Sequence, residues 1–225
     1  MARKRHVLPP EERKEELLLA ASQVISEKGY RSASISDIIE KAGVARGTFY
    51  HYFESKKDIF VELIERYFTE FAQILEENHE RLFAALETGS DIPVAWRENA
   101  LAIMRFHSDN PELTALVYRE AMGLDENFSS KVEELSRLAR NRMVEEFQML
   151  ADRGLMVPCD VELVTTMVNG AMVNIIMEYI LRDGGRELEY LADALVKNQL
   201  RALTPTRPAE AAKPARKPAG KKART

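Results

Sequence analysis

The chain has almost none of the residues from which redox, metal and covalent chemistry are usually built. Of 225 residues one is cysteine, Cys159, which excludes an internal disulfide and a thiolate metal cage and suits a reducing compartment. The four histidines, at 6, 51, 79 and 107, are scattered over separate segments, so neither a zinc site nor a histidine-based catalytic cluster has support. No glycine-rich phosphate loop is present, and no nucleophile is spaced against a base. The expectation is of a protein that is not an enzyme, with no catalytic residue, no metal and no cofactor. No long apolar run is free of polar groups. The longest, 161–181, carries Glu162, Asn169, Asn174 and Glu178 and reads as a buried helix rather than a membrane span. Arg3-Lys4-Arg5, then Pro9-Pro10 and a charged segment, do not read as an export signal, which points to the cytoplasm. Strand-like alternation is missing throughout.

What is present is charge, unevenly spread, and a 45% hydrophobic content ample for a core. Residues 1–58 hold 11 basic and 9 acidic side chains, residues 59–200 hold 13 and 26, and residues 201–225 hold 8 and 1. An acidic body thus carries a mildly basic head and a strongly basic tail, an arrangement that turns the head toward a polyanion.

The densest signal lies between Ser34 and Lys56. Ser34 followed by Asp37 forms a capping box, and Ile35, Ile38, Ile39 and Ala42 give an apolar face at helical spacing. Gly43 stops that helix with a turn that needs positive φ, and Val44 anchors the turn in the core. A second short helix follows, in which Phe49 and Phe53 face inward and Arg46, Thr48, Tyr50, His51 and Tyr52 are left to present donors outward. Two helices joined by one glycine, the second crowded with donors, make a DNA-reading helix-turn-helix.

At these residues the chain resembles the DNA-binding domain of the TetR family of bacterial repressors. Ser34, Ile38, Ala42, Gly43, Val44, Gly47, Phe49, Tyr50, Tyr52, Phe53, Ser55, Lys56 and Ile59 fit the family pattern over roughly residues 12–66, with Ile39 and Ala45 standing where Ala and Ser are usual. The expected DNA-binding set is Ser34, Arg46, Gly47, Thr48, Tyr50, His51, Tyr52 and Lys56. Arg46 suits a bidentate guanine contact or a phosphate, Thr48 a thymine methyl or a phosphate, and the ring residues phosphate oxygens or base edges. Lys56, opening the next helix behind a Ser55-x-x-Asp58 box, is placed to meet the phosphate backbone. Arg3, Lys4 and Arg5 form an arm that could reach a minor groove, with a frayed terminus as the alternative.

The rest reads as further helices: one from Pro10 to about Lys28, a long one from Lys56 to about Ala85, and then Val94–Ser108, Pro111–Met122, Ser129–Arg153, Val161–Leu181 and Arg186–Leu203, broken at glycines and prolines. The expected fold is all-α with about nine helices, three in a head and six behind. Residues 1–55 make the arm and helix-turn-helix domain, 56–203 the effector-binding and dimerisation domain, and 204–225 a disordered basic tail. Met104, Phe106, Tyr118, Met122, Met143, Phe147 and Met172 are the expected lining of a cavity for a small hydrophobic effector. Arg105, Arg119 and Arg140 are available for the head group of an acyl compound; the alternative for any single apolar residue of the set is the core, and for the arginines solvated surface. Val164, Val168, Ala171, Ile175 and Tyr179 with Leu188, Leu191, Leu195 and Leu200 form stripes suited to a homodimer seam or to a hairpin buried within one chain. The resulting expectation is a cytoplasmic, nucleoid-associated repressor that binds double-stranded DNA as a homodimer at a palindromic operator. It would be released by an apolar effector and would not bind membrane. The alternative is a nonspecific, architectural DNA-binding protein served by its basic tail.

Overall fold

The computed structural model describes residues 9–119, 126–182 and 184–205. The basic arm, Met122, the Arg119 side chain and the tail beyond 205 lie outside the described residues. What is described is all-α, with nine helices in the order expected.

Helix α1 (Pro10–Ser32) starts on a proline, carries Glu11 and Glu12 in its first turn, and buries Leu17, Leu18, Ala21, Val24 and Ile25 on one face. Gly29 breaks it at φ 75°, ψ 156°, a conformation other residues rarely adopt, and a single further turn follows. Helix α2 (Ile35–Ala42) begins with the expected reciprocal cap: Ser34 Oγ accepts from the Asp37 amide at 3.2 Å and the Asp37 carboxylate accepts from the Ser34 amide at 2.9 Å. Gly43 ends it in the left-handed region, and α3 (Arg46–Tyr52) follows. Helix α4 (Lys56–Thr88) runs 33 residues, about 50 Å at the usual rise.

The head has one core. Leu17, Ile38, Phe49, Ile59 and Ile64 are shut off from solvent, and the same cluster continues into Phe106, Leu113 and Leu116 of the body. The body is built from α5 (Ile92–Asp109), α6 (Pro111–Arg119), α7 (Glu126–Asp152), α8 (Val161–Ile175) and α9 (Leu188–Leu203). The backbone continues past α8 in one wider π turn, Ile176–Ile180. Helix α4 packs on α5 and α7, α5 on α9, α7 on α8, and α6 back onto α1.

The last two helices differ from expectation. The stripe offered for a dimer seam or a buried hairpin faces the chain's own interior except at Tyr179, which is exposed: Leu191 and Leu195 are core, and Val164, Val168, Ala171, Ile175, Leu188 and Leu200 pack against it. A helix facing its own neighbours and one facing a second copy use the same 3.6-residue period, so spacing could not choose between them. Nor is 161–181 a fully buried helix. Val161–Ile180 is long and apolar enough by composition to cross a membrane, and it leaves Leu163 and Met167 exposed at 57% and 66%. Tyr190 of α9 is likewise open.

Candidate nucleic-acid interface and effector cavity

Helix α3 is pinned by Phe49, fully buried, and steadied by Phe53 just beyond its end. That anchorage fixes the opposite face outward. Arg46, Tyr50 and His51 are exposed, while Thr48 and Tyr52 are half-buried. The Arg46 guanidinium lies 5.7 Å from the Tyr50 ring centre and donates to Tyr50 Oη at 3.4 Å, so the two form one stacked unit. His51 meets the Tyr52 ring edge-on at 5.0 Å. A Cβ on Gly47 would meet nothing within 4 Å, so packing within the chain does not demand glycine there. Close approach of a partner to the backbone would.

Two members of the expected DNA-binding set are already engaged. Ser34 is a helix cap whose Oγ also donates to Asp37 at 2.7 Å. Asp37 is held in turn by the Lys28 ammonium at 2.6 Å, and this bond, helped by Ser34, pulls its carboxyl down to about 2. Lys56, expected to meet phosphate, turns its ammonium to the end of α1. It donates to the carbonyls of Tyr30 and Ala33, each at 2.8 Å, and sits 4.6 Å from the Tyr30 ring centre. These are carbonyls a helix end leaves without intrahelical donors, and a cation suits that negative end. Lys56 therefore ties the start of α4 to the end of α1.

Behind the head, helices α4 to α9 with the π turn enclose a cavity of about 270 Å³. Six aromatic rings line it: Tyr67, Phe68, Phe71, Trp96, Tyr118 and Phe147. Several polar wall residues are spent on structure. Asn78 and Asn99 each donate to the other's backbone carbonyl, at 3.2 and 2.8 Å, and both side-chain oxygens accept from Arg81, clasping α4 to α5. Tyr67 Oη sits 2.9 Å from His107 Nδ1 and 3.1 Å from Thr114 Oγ1. Burial holds the His107 imidazole down to about 4 and pushes the Tyr118 phenol up to about 12, so both are neutral near pH 7.

Other wall groups are unspent. Glu146 has His79 Nδ1 at 3.5 Å as its ion-pair contact, and burial pushes its carboxyl up to about 7 despite the attraction of Arg142. Arg142 directs its charge outward to Glu76 at 2.7 Å and Glu145 at 3.2 Å. Its Nε, His107 Nε2 and both amide atoms of Gln199 have no hydrogen-bond partner among the described residues.

Of the expected effector residues, Tyr118, Met143, Phe147 and Met172 come together on this wall. Met104 and Phe106 do not. The face that α5 turns to the cavity carries Trp96, Asn99, Ala100, Ile103 and His107, and positions 104 and 106 fall to either side of it. Met104 is sealed among Leu101, Met172, Ile176 and Leu191, and Phe106 packs on Tyr67 and Phe71, with ring centres 4.8 and 5.1 Å away. Arg105 is exposed and paired with Glu189, and Arg140 is exposed, so neither reaches the wall. Trp96, Glu146 and Gln199 were not expected. The available signal was α7's stripe of Val132, Leu135, Ala139, Met143 and Phe147, beside which Arg142 and Glu146 fall at the same helical spacing.

The family model for bacterial regulatory proteins of the tetR family matches residues 17–63. An uncharacterised HTH-type transcriptional regulator of Bacillus subtilis, YvdT, is 54% identical over 55 residues, which is 24% of this chain and 28% of that protein's length. The probable acrEF/envCD operon repressor of Escherichia coli K12 is 26% identical over 208 residues, covering 85% of this chain and 87% of the repressor. In fold the chain is similar to the transcriptional regulator FadR from Bacillus subtilis, solved in complex with stearoyl-CoA. The TM-score is 0.65 at 21% identity, over 83% of this chain and 97% of that one. Residues 17–63 thus match the DNA-binding domain of the tetR family of bacterial regulatory proteins, and the chain as a whole shares the fold of FadR.

Proposed function

We propose that the protein is a ligand-responsive repressor of the bacterial cytoplasm, acting at the nucleoid, that binds a palindromic operator as a homodimer and is released by a small hydrophobic effector. The observation that carries the proposal is the continuity of α4. Its first turns hold the head, through Lys56 on the end of α1 and Ile59, Phe60 and Ile64 in the head core. Its later turns, from Tyr67 to Asn78, are a wall of the cavity. A molecule that reshapes that wall acts on the mount of the recognition helix, and linkage then couples the two sites, typically by about 1–3 kcal/mol.

DNA contact is assigned to Arg46, Gly47, Thr48, Tyr50, His51 and Tyr52, with Ser34 and Lys56 positioning the helices that carry them. The dimer is assigned to α8 and α9 within 161–203, where exposed Leu163, Met167 and Tyr190 give a surface a soluble monomer would not keep. The aromatic and methionine lining supports a hydrophobic effector, and the stearoyl-CoA bound to FadR supports an acyl chain as one such body. Selection of operators from randomised DNA tests the proposal. A two-fold symmetric motif, released by hydrophobic compounds that bind the protein, is the expected result. Selection yielding no motif would return the protein to the architectural reading.

A further inference from the structure

The polar inventory of the cavity narrows the chemistry of its ligand, resting on the reading of that cavity as the effector site. Glu146 is the one carboxylate on the wall among the described residues. Facing it from α4 are His79 at 3.5 Å and, beyond Arg142, Glu76. Its own helix brings Arg142 and Glu145, and the described wall residues of α5, α8 and α9 bring no ionised group. Arg142 is shared by Glu76 and Glu145, so that cluster is already one positive charge against two negative ones. Among the described residues the one guanidinium on the wall, Arg142, keeps only its Nε unpartnered while its charge is held by Glu76 and Glu145, so an anionic head group would meet a cation already shared and the carboxylate of Glu146.

A cation finds the opposite. It meets a carboxylate whose charge is poorly balanced and rings whose faces are electron-rich, Phe71, Trp96 and Phe147 among them, with the last two at 5.4 Å between ring centres. Gln199, nine-tenths buried with neither amide atom partnered, adds one unspent acceptor and one unspent donor to the same wall and can turn its oxygen to a cation. We propose that the cavity takes a lipophilic cation, an amine or quaternary ammonium on an apolar body, with its charge against Glu146 and its body along the aromatic wall. The raised Glu146 carboxyl adds a signature, because a permanent cation binds the ionised form and its affinity must rise as the pH passes through about 7.

Trp96, the single tryptophan of the chain, stands on the cavity wall and reports binding directly. The full chain is titrated at pH 6, 7 and 8 with decyltrimethylammonium, decanol and decanoate, each below its micelle concentration, following Trp96 fluorescence. The cation is expected to bind at least about tenfold more tightly than either other probe at pH 8, with an affinity about tenfold lower at pH 6. E146Q is expected to remove both the preference and the pH dependence, E146D to keep the preference in part, and H79Q to keep it fully. Tightest binding by decanoate, equal binding of cation and alcohol, or an unchanged cation preference in E146Q would each overturn the assignment of charge. In those cases Trp96 still responds, and the effector reading of the cavity stands. No Trp96 response to any probe would overturn both.

Discussion

Acidification from pH 7 to pH 5 is expected to leave the unfolding free energy of the protein nearly level, because two buried groups answer it with opposite sign. His107 is held near 4 in the folded chain against 6.5 in a free imidazole. Between those values the unfolded chain binds a proton that the folded one refuses, so stability falls as pH falls, by about 2 kcal/mol between pH 7 and 5. Glu146 is held near 7 against 4.5. Here the folded chain takes the proton first. The stabilisation is fully present below about 4.5 and is lost as pH rises through 7, so acidification over the same interval returns about 2 kcal/mol. Single substitutions uncouple the pair. H107Q loses the bond to Tyr67 and starts about 1–3 kcal/mol less stable at pH 7, yet its stability should climb on acidification. E146Q should decline over the same range. Urea unfolding at pH 5, 6 and 7 reads both, and the two variants should diverge by about 4 kcal/mol across the interval. Parallel pH profiles for the parent and both variants would refute the burial argument.

Three further outcomes follow from the head and the surface. Lys56→Met should lower stability by about 1–2 kcal/mol through loss of its bonds to the Tyr30 and Ala33 carbonyls. The salt slope of operator binding should stay unchanged, whereas a slope smaller by about two per dimer would return the ammonium to phosphate. Gly47→Ala meets open space and should stabilise the free protein by up to about 1 kcal/mol while weakening operator binding. An unweakened complex would mean that no partner approaches that backbone. Leu163→Glu with Met167→Glu places charge on the exposed face of α8 and should halve the mass in light scattering, and a mass unchanged from the parent would move the dimer elsewhere.

The helices and the head were legible in sequence because their signals are local. Ser34 with Asp37, Ser55 with Asp58, and Gly43 and Gly89 mark ends within a few residues of the groups they satisfy. The role of Lys56 was not legible, since the carbonyls it meets lie 23 and 26 residues away. Met104 and Phe106 were misplaced because an apolar side chain at helical spacing says only that it is buried, while which of α5's neighbours buries it depends on packing. Glu146 and Gln199 escaped for the converse reason. On an amphipathic helix a polar residue reads as solvent-facing, and only the arrival of α4, α5 and α9 around them turns that face into a wall.

The Lys56 clasp also bears on what the head can transmit. The end of α1 is held to the start of α4, and Lys28 holds α1 to the cap of α2, so α1, α2 and the root of α4 are braced as one block around the core that seats α3. A block of that kind is turned rather than bent. In the proposed dimer, cavity occupancy would leave the bases each recognition helix prefers unchanged and alter only the distance and bearing between the two helices. An operator re-spaced by one base pair, about 3.4 Å and roughly 35° of twist, would then discriminate between the free and liganded forms more sharply than any base change within a half-site.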